Sequence, residues 1–156
     1  MRAGMGNREA IVKLRVVPLT IHELPVWRKA LLAVEILVTY TRIRWLIRHE
    51  NAMEAVPRIR GAAAPPSRFP GTPDQTYVAG LRLGHVVVRT LSPLPYDSRC
   101  LFRSLTLSAL LQRRGIPAKL VIAVRPQPFA AHAWVEHDGR PLLQPADEGF
   151  ERVVEL

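Results

Sequence analysis

Residues 98–142 read SRCLFRSLTLSALLQRRGIPAKLVIAVRPQPFAAHAWVEHDGRPL, and the punctuation of this stretch decides the fold. Cys100 is followed by Leu101, Leu105, Leu107, Leu110 and Leu111 at helical spacing. Asp97 and Ser98, just ahead, are both good N-cap residues. Arg113 and Arg114 fall in the last turn, where cations suit the helix dipole, and Gly115 is a natural terminating glycine. The pattern predicts a helix of about four turns that starts at Cys100. KLVIAV (119–124) is a short apolar strand, RPQPFA a proline-bearing loop, and HAWVE (132–136) a second strand. His137, Asp138 and Gly139 make a turn, and Arg140 to Gln144 a third strand antiparallel to the second.

Outward from this core, residues 76–91 read as a helix stopped by Pro93 and Pro95. Residues 57–75 carry five prolines and two glycines and form a connector. Residues 22–49 read as one long helix, with Leu24, Trp27, Leu31, Val34, Val38, Tyr40 and Trp45 at three- and four-residue steps. Its longest uncharged run is Ile36 to Thr41, far short of the ~20 apolar residues a membrane span needs. Residues 10–21 are rich in β-branched residues and read as one short strand. The expected division is an N-terminal strand, long helix and connector over 1–75, and a compact core over 76–156.

Composition narrows the function. A chain of 156 residues with 48% hydrophobic residues fits one globular domain. One cysteine excludes a disulfide framework and a cysteine-rich zinc site. The N-terminus has charges at Arg2, Arg8, Glu9, Lys13 and Arg15 and no apolar signal region, so the cytoplasm is the expected compartment. The net charge of +9 is uneven: residues 1–70 hold 12 basic and 5 acidic residues, residues 71–156 hold 10 and 8. A basic front half suits an acidic peptide, a membrane surface or a solvated helix face. No nucleic-acid signature accompanies it, since the aromatics are not interleaved with a basic stripe, and nucleic acid is not an expected partner.

Cys100 and His132 carry the chemistry. A helix N-terminus offers partial positive charge and free N–H groups, which favour a thiolate and can serve an oxyanion hole. A nearby imidazolium favours the thiolate further, and the thiolate is the nucleophile. The bland alternative is a packed thiol and a satisfied core histidine, since free cysteine is among the most buried residue types. A third group usually orients the imidazole. If His137, Asp138 and Gly139 form a three-residue loop, Glu136 pairs with Arg140 and His132 lies opposite Gln144. If Asp138-Gly139 is a two-residue turn, His132 faces Pro145 instead. The first register makes the Gln144 side-chain amide the candidate orienter, with Asp147 the fallback. Trp134 shares the face of His132 and either shields the site or fills core. Arg103 and Ser104 stand where they can line the site or cap neighbouring carbonyls. No metal or small cofactor is needed.

These motifs resemble the transglutaminase-like cysteine peptidases of lasso-peptide biosynthesis, the leader-peptidase half of the B proteins that process microcin J-type precursors. That family carries C-L-x-R-S-L on a helix, an R-R-G-I turn, an apolar strand, a proline- and phenylalanine-bearing loop and A-H-A-W-V-E. All occur here in order, at Cys100 to Leu105, Arg113 to Ile116, Leu120 to Val124, Pro128 to Phe129 and Ala131 to Glu136. The resemblance covers roughly residues 80–150. It implies an α+β, papain-like core, with the nucleophile helix packed on a small antiparallel sheet and a helical segment in front. It implies removal of the leader from a ribosomally made lasso precursor, so that a separate asparagine-synthetase-like cyclase can use the freed core amine. The family's Asp falls on Gln144, a departure that an Asn-like orienter can tolerate. A complete N-terminal leader-recognition domain does not fit before residue 22, so a separate recognition protein is expected, with the basic front half its docking region or that of an acidic leader. The rivals are a catalytically weak precursor-binding module, a transglutaminase that passes the acyl group to an amine, and a basic membrane-surface protein.

Overall fold

The computed structural model describes residues 25–49, 71–94 and 100–156. The strand expected over 10–21, most of the connector, and the caps expected at Asp97 and Ser98 lie outside the described residues. Among the described residues there are three helices, α1 (Val26–His49), α2 (Pro73–Leu91) and α3 (Cys100–Arg113). Four strands follow: β1 (Lys119–Arg125), β2 (Ala130–His137), β3 (Arg140–Pro141) and β4 (Glu151–Glu155). The sheet order is β3-β2-β1-β4, antiparallel throughout.

α3 is the central element. Every residue from Ser104 to Leu111 is buried, as expected of a helix that is covered on all sides. Leu105, Leu107, Leu110 and Leu111 share one core with Ile36, Tyr40 and Ile43 of α1, Leu83, Val87 and Leu91 of α2, and Leu120 and Val135 of the sheet. The helix ends as its sequence predicts. Gly115 adopts φ 70, its N–H donates to Gln112 O (2.9 Å), and the Ile116 N–H donates to Leu111 O (3.0 Å). This double closure satisfies the orphan carbonyls and turns the chain into β1.

α2 starts at Pro73, three residues before the expected position. Pro73 does not break the helix, because at the first helical position its missing N–H has no partner to lose. Thr72 and Gln75 form a reciprocal capping box, with Thr72 N–H to Gln75 Oε1 at 3.2 Å and Gln75 N–H to Thr72 Oγ1 at 3.4 Å.

The hairpin takes the second of the two registers. Asp138 (φ 49) and Gly139 (φ 74) are both left-handed, and His137 pairs with Arg140. A two-residue turn with two positive φ values matches the strand twist better than the three-residue loop that would have set Gln144 across from His132. β3 is also shorter than the expected 140–144: the ladder stops at Pro141, with one further bond from Leu142 N–H to Val135 O (2.7 Å). Beyond that point the chain leaves the sheet and crosses α2. Tyr77 Oη donates to Pro141 O at 3.1 Å, and Arg140 lies over the Tyr77 ring at 3.6 Å and pairs with Asp74 at 3.0 Å. Leu142 then fits against Gly80 and Gly84. A Cβ at Gly80 would meet the Leu142 side chain at 3.0 Å, and one at Gly84 would meet Leu142 O at 2.8 Å. Two glycines one helical turn apart let the chain lie this close.

Candidate functional site

Cys100 opens α3 and is partly exposed. One turn further, Ser104 is fully buried and donates its Oγ–H to Ala133 O at 2.9 Å. The reason lies in the early end of β3. Val135 O is paired by Leu142, but two residues back along the same strand edge Ala133 O has no strand beside it. A buried carbonyl needs a donor, and α3 supplies one. The bond fixes α3 to β2 next to His132. Cys100 sits about 6 Å up the axis from Ser104 on the same helix face.

His132 is held from two directions. Its ring nitrogen Nε2 is 2.9 Å from Gln144 O. A carbonyl only accepts, so Nε2 carries a proton, and in the neutral ring the lone pair is on Nδ1. The Gln144 partner is therefore its main-chain oxygen and not the side-chain amide. The route over Gly80 and Gly84 delivers it, in a register where strand pairing would have presented Pro145. Asp147 is exposed, and among the described residues it makes no hydrogen bond to the imidazole.

The second support is Trp134. Its ring stacks on His132 at 6.0 Å and 25°, within the usual range for such pairs. Trp134 is buried with Val121 and Ala123, on the opposite side of β2 from Val135 and the helices. Trp134 Nε1–H donates to Glu136 Oε1 at 2.8 Å. Glu136, also buried, receives Arg152 of β4 through two bonds of 2.8 and 3.3 Å. Donating to Glu155 and Glu136 pushes the Arg152 guanidinium above its ordinary range. Alternate residues of one strand thus form a row, His132 on Trp134 on Glu136, closed by Arg152. The sequence placed Trp134 on the face of His132 by alternation, and the same alternation reaches Glu136, but it gave no sign of Arg152, because β4 is short, charged and exposed along its length.

Arg103 lies on the first turn of α3 and is partly buried. Among the described residues no hydrogen bond joins Cys100 Sγ to His132. Catalytic contacts in substrate-free enzymes are often long and tighten on binding. What the elements set out is a thiol at the start of α3 and, on the strand that Ser104 ties to that helix, an imidazole whose Nε2 is bonded to Gln144 O, its ring stacked on the Trp134 face of the sheet.

Comparison with known proteins places the chain in a family. Residues 30–155 match the family described as the transglutaminase-like superfamily. A stretch of 45 residues is 49% identical to the microcin J25-processing protein McjB of Escherichia coli. That stretch is 29% of this chain and only 22% of the relative's length. No solved structure matches the chain.

Proposed function

Since the chain belongs to the transglutaminase-like superfamily, we propose that it is a cysteine peptidase that removes the leader from a lasso-peptide precursor. The carrying observation is the fixed tautomer of His132: Nε2–H is committed to Gln144 O, which leaves Nδ1 as the base. Nδ1 takes the Cys100 proton, and the thiolate adds to the leader–core carbonyl. The oxyanion is met by first-turn N–H groups of α3, that of Cys100 among them. The imidazolium returns its proton to the core amine as the C–N bond breaks, leaving a thioester on Cys100. Water, deprotonated by His132, hydrolyses the thioester and releases the leader as a carboxylate.

The similarity to a microcin-processing protein supports the substrate class. On this reading the partners are the precursor, a separate leader-recognition protein and an asparagine-synthetase-like cyclase that consumes the freed amine, all in the cytoplasm. Among the described residues no helix is long and apolar enough to cross a membrane. The missing hydrogen bond between Cys100 and His132 favours a second reading, a precursor-binding module with little catalysis.

One experiment separates them. Cys100 is the sole cysteine, so the rate of iodoacetamide alkylation against pH reports one thiol. The peptidase reading expects an apparent pKa well below the free value of about 8.5, rising in His132→Ala. A thiol that titrates normally in both proteins, with and without added precursor, would refute it and leave the binding module.

A further inference from the structure

α1 is apolar on two sides. Ile36, Tyr40 and Ile43 enter the core. On the other side Trp27 (58% exposed), Leu31 (60%), Val34 (55%), Val38 (59%) and Trp45 (59%) face outward. Their steps of four, three, four and seven are those of a heptad seam, with Thr41 at the one position that is not apolar. From Trp27 to Trp45 the seam runs about 27 Å along the helix.

The seam is bracketed by positive charge. At about 100° per residue, Arg28 and Arg42 fall on one flank, and Arg48 on the other together with Arg44, whose Nη1 donates to Tyr40 Oη at 3.3 Å. The lone acidic residue of the helix, Glu35, is already taken: Arg114 binds it through bonds of 2.7 and 3.3 Å, and Arg113 lies at 4.0 Å. Two copies of this surface would set cation against cation, which disfavours self-pairing. On the Arg44 flank Val26 (81% exposed) and Leu37 (36%) also face outward, while the seam itself keeps the a/d spacing that fits a facing helix. Both features select the same kind of occupant.

We propose that the outward face of α1 docks an acidic amphipathic helix of a partner protein, with apolar residues in the seam and carboxylates against the flanking arginines. The inference uses a surface apart from Cys100 and His132 and does not rest on the peptidase reading.

The test uses the full chain and two labelled synthetic peptides of the length of α1. Both carry Leu at a and d positions; one carries Glu at e and g, the other Lys. The acidic peptide is expected to bind at least about tenfold more tightly than its twin, and to lose affinity as salt rises. Binding is expected to shift the fluorescence of Trp27 and Trp45 to the blue, and the shift to vanish in Trp27→Phe/Trp45→Phe. Leu31→Glu/Val38→Glu is expected to abolish binding. These positions are exposed, so an unchanged circular dichroism spectrum will show the fold intact. Arg28→Glu/Arg42→Glu leaves the apolar seam in place, sets one acidic flank against one basic flank, and is expected to erase the preference between the peptides. Equal binding of both peptides by the unsubstituted chain, or binding of neither, overturns the proposal. So does preferential binding to phosphatidylserine vesicles, a dimer that forms through the seam, or peptide binding that appears only after removal of residues 1–24.

Discussion

Gly84→Ala tests how the fold builds the site. The added methyl would stand 2.8 Å from Leu142 O, where ordinary contact begins at 3.4 Å. The obstacle is backbone, so the crossing segment must move by the difference. That segment carries Gln144, whose oxygen is 2.9 Å from His132 Nε2. A displacement of this size along the bond puts the pair beyond hydrogen-bond range. Alanine favours the helix by ~0.8–1.0 kcal/mol, but overpacking costs about 1–3 kcal/mol, so a net loss of stability is expected. Losing the imidazole bond removes a further ~0.5–1.5 kcal/mol of restraint on the tautomer, up to about tenfold in the His132-assisted alkylation rate of Cys100. Gly80→Ala is the control, since its methyl meets only the tips of the Leu142 side chain, which can rotate away. Urea unfolding and iodoacetamide kinetics on both variants give the answer. A Gly84→Ala protein as stable and as reactive as the parent would show that the crossing segment is not held where its oxygen is needed.

Ser104→Ala leaves Ala133 O buried and unpaired, and is expected to cost about 1–3 kcal/mol in urea unfolding. Gln144→Ala keeps the main-chain oxygen, so Cys100 alkylation is expected to stay within about threefold of the parent, well under the 1.4 kcal/mol that marks a tenfold change; a tenfold fall would return the orienting role to the side-chain amide. Trp134→Phe retains a stacking ring and removes one of the two donors to Glu136 Oε1, leaving Arg152 Nη2 in place, and is expected to lower alkylation less than Trp134→Ala does. If the alanine variant reacts as fast as the parent, the stack does not position His132.

The most local features were the most legible. The helix from Cys100 and its close at Gly115 are written in adjacent residues, and so are the two strands that follow. The start of α2 was concealed by Pro73, which reads as a breaker unless Thr72 and Gln75 are seen as a capping pair. The hairpin register turned on one residue: Asp138-Gly139 is the stronger turn signal, and the three-residue alternative took Gln144 to the right neighbour by the wrong route. On α1 the apolar periodicity is real on both sides, so spacing alone selected Trp27, Leu31, Val34 and Val38, which face outward, while Ile36 and Ile43 face the core. The close approach at Gly80 and Gly84 and the strand carrying Arg152 are tertiary facts, and nothing near them in the chain announces either.

The oxygen that fixes the imidazole belongs to the backbone, and every amino acid would bring the same atom to position 144. The side chain at that position can therefore change without removing the bonded oxygen, while a methyl group added at Gly84 of α2, sixty residues earlier, meets the backbone that carries it. On the proposed reading the orienting group is a path of the chain and not a side chain, and its vulnerable points lie where that path is squeezed.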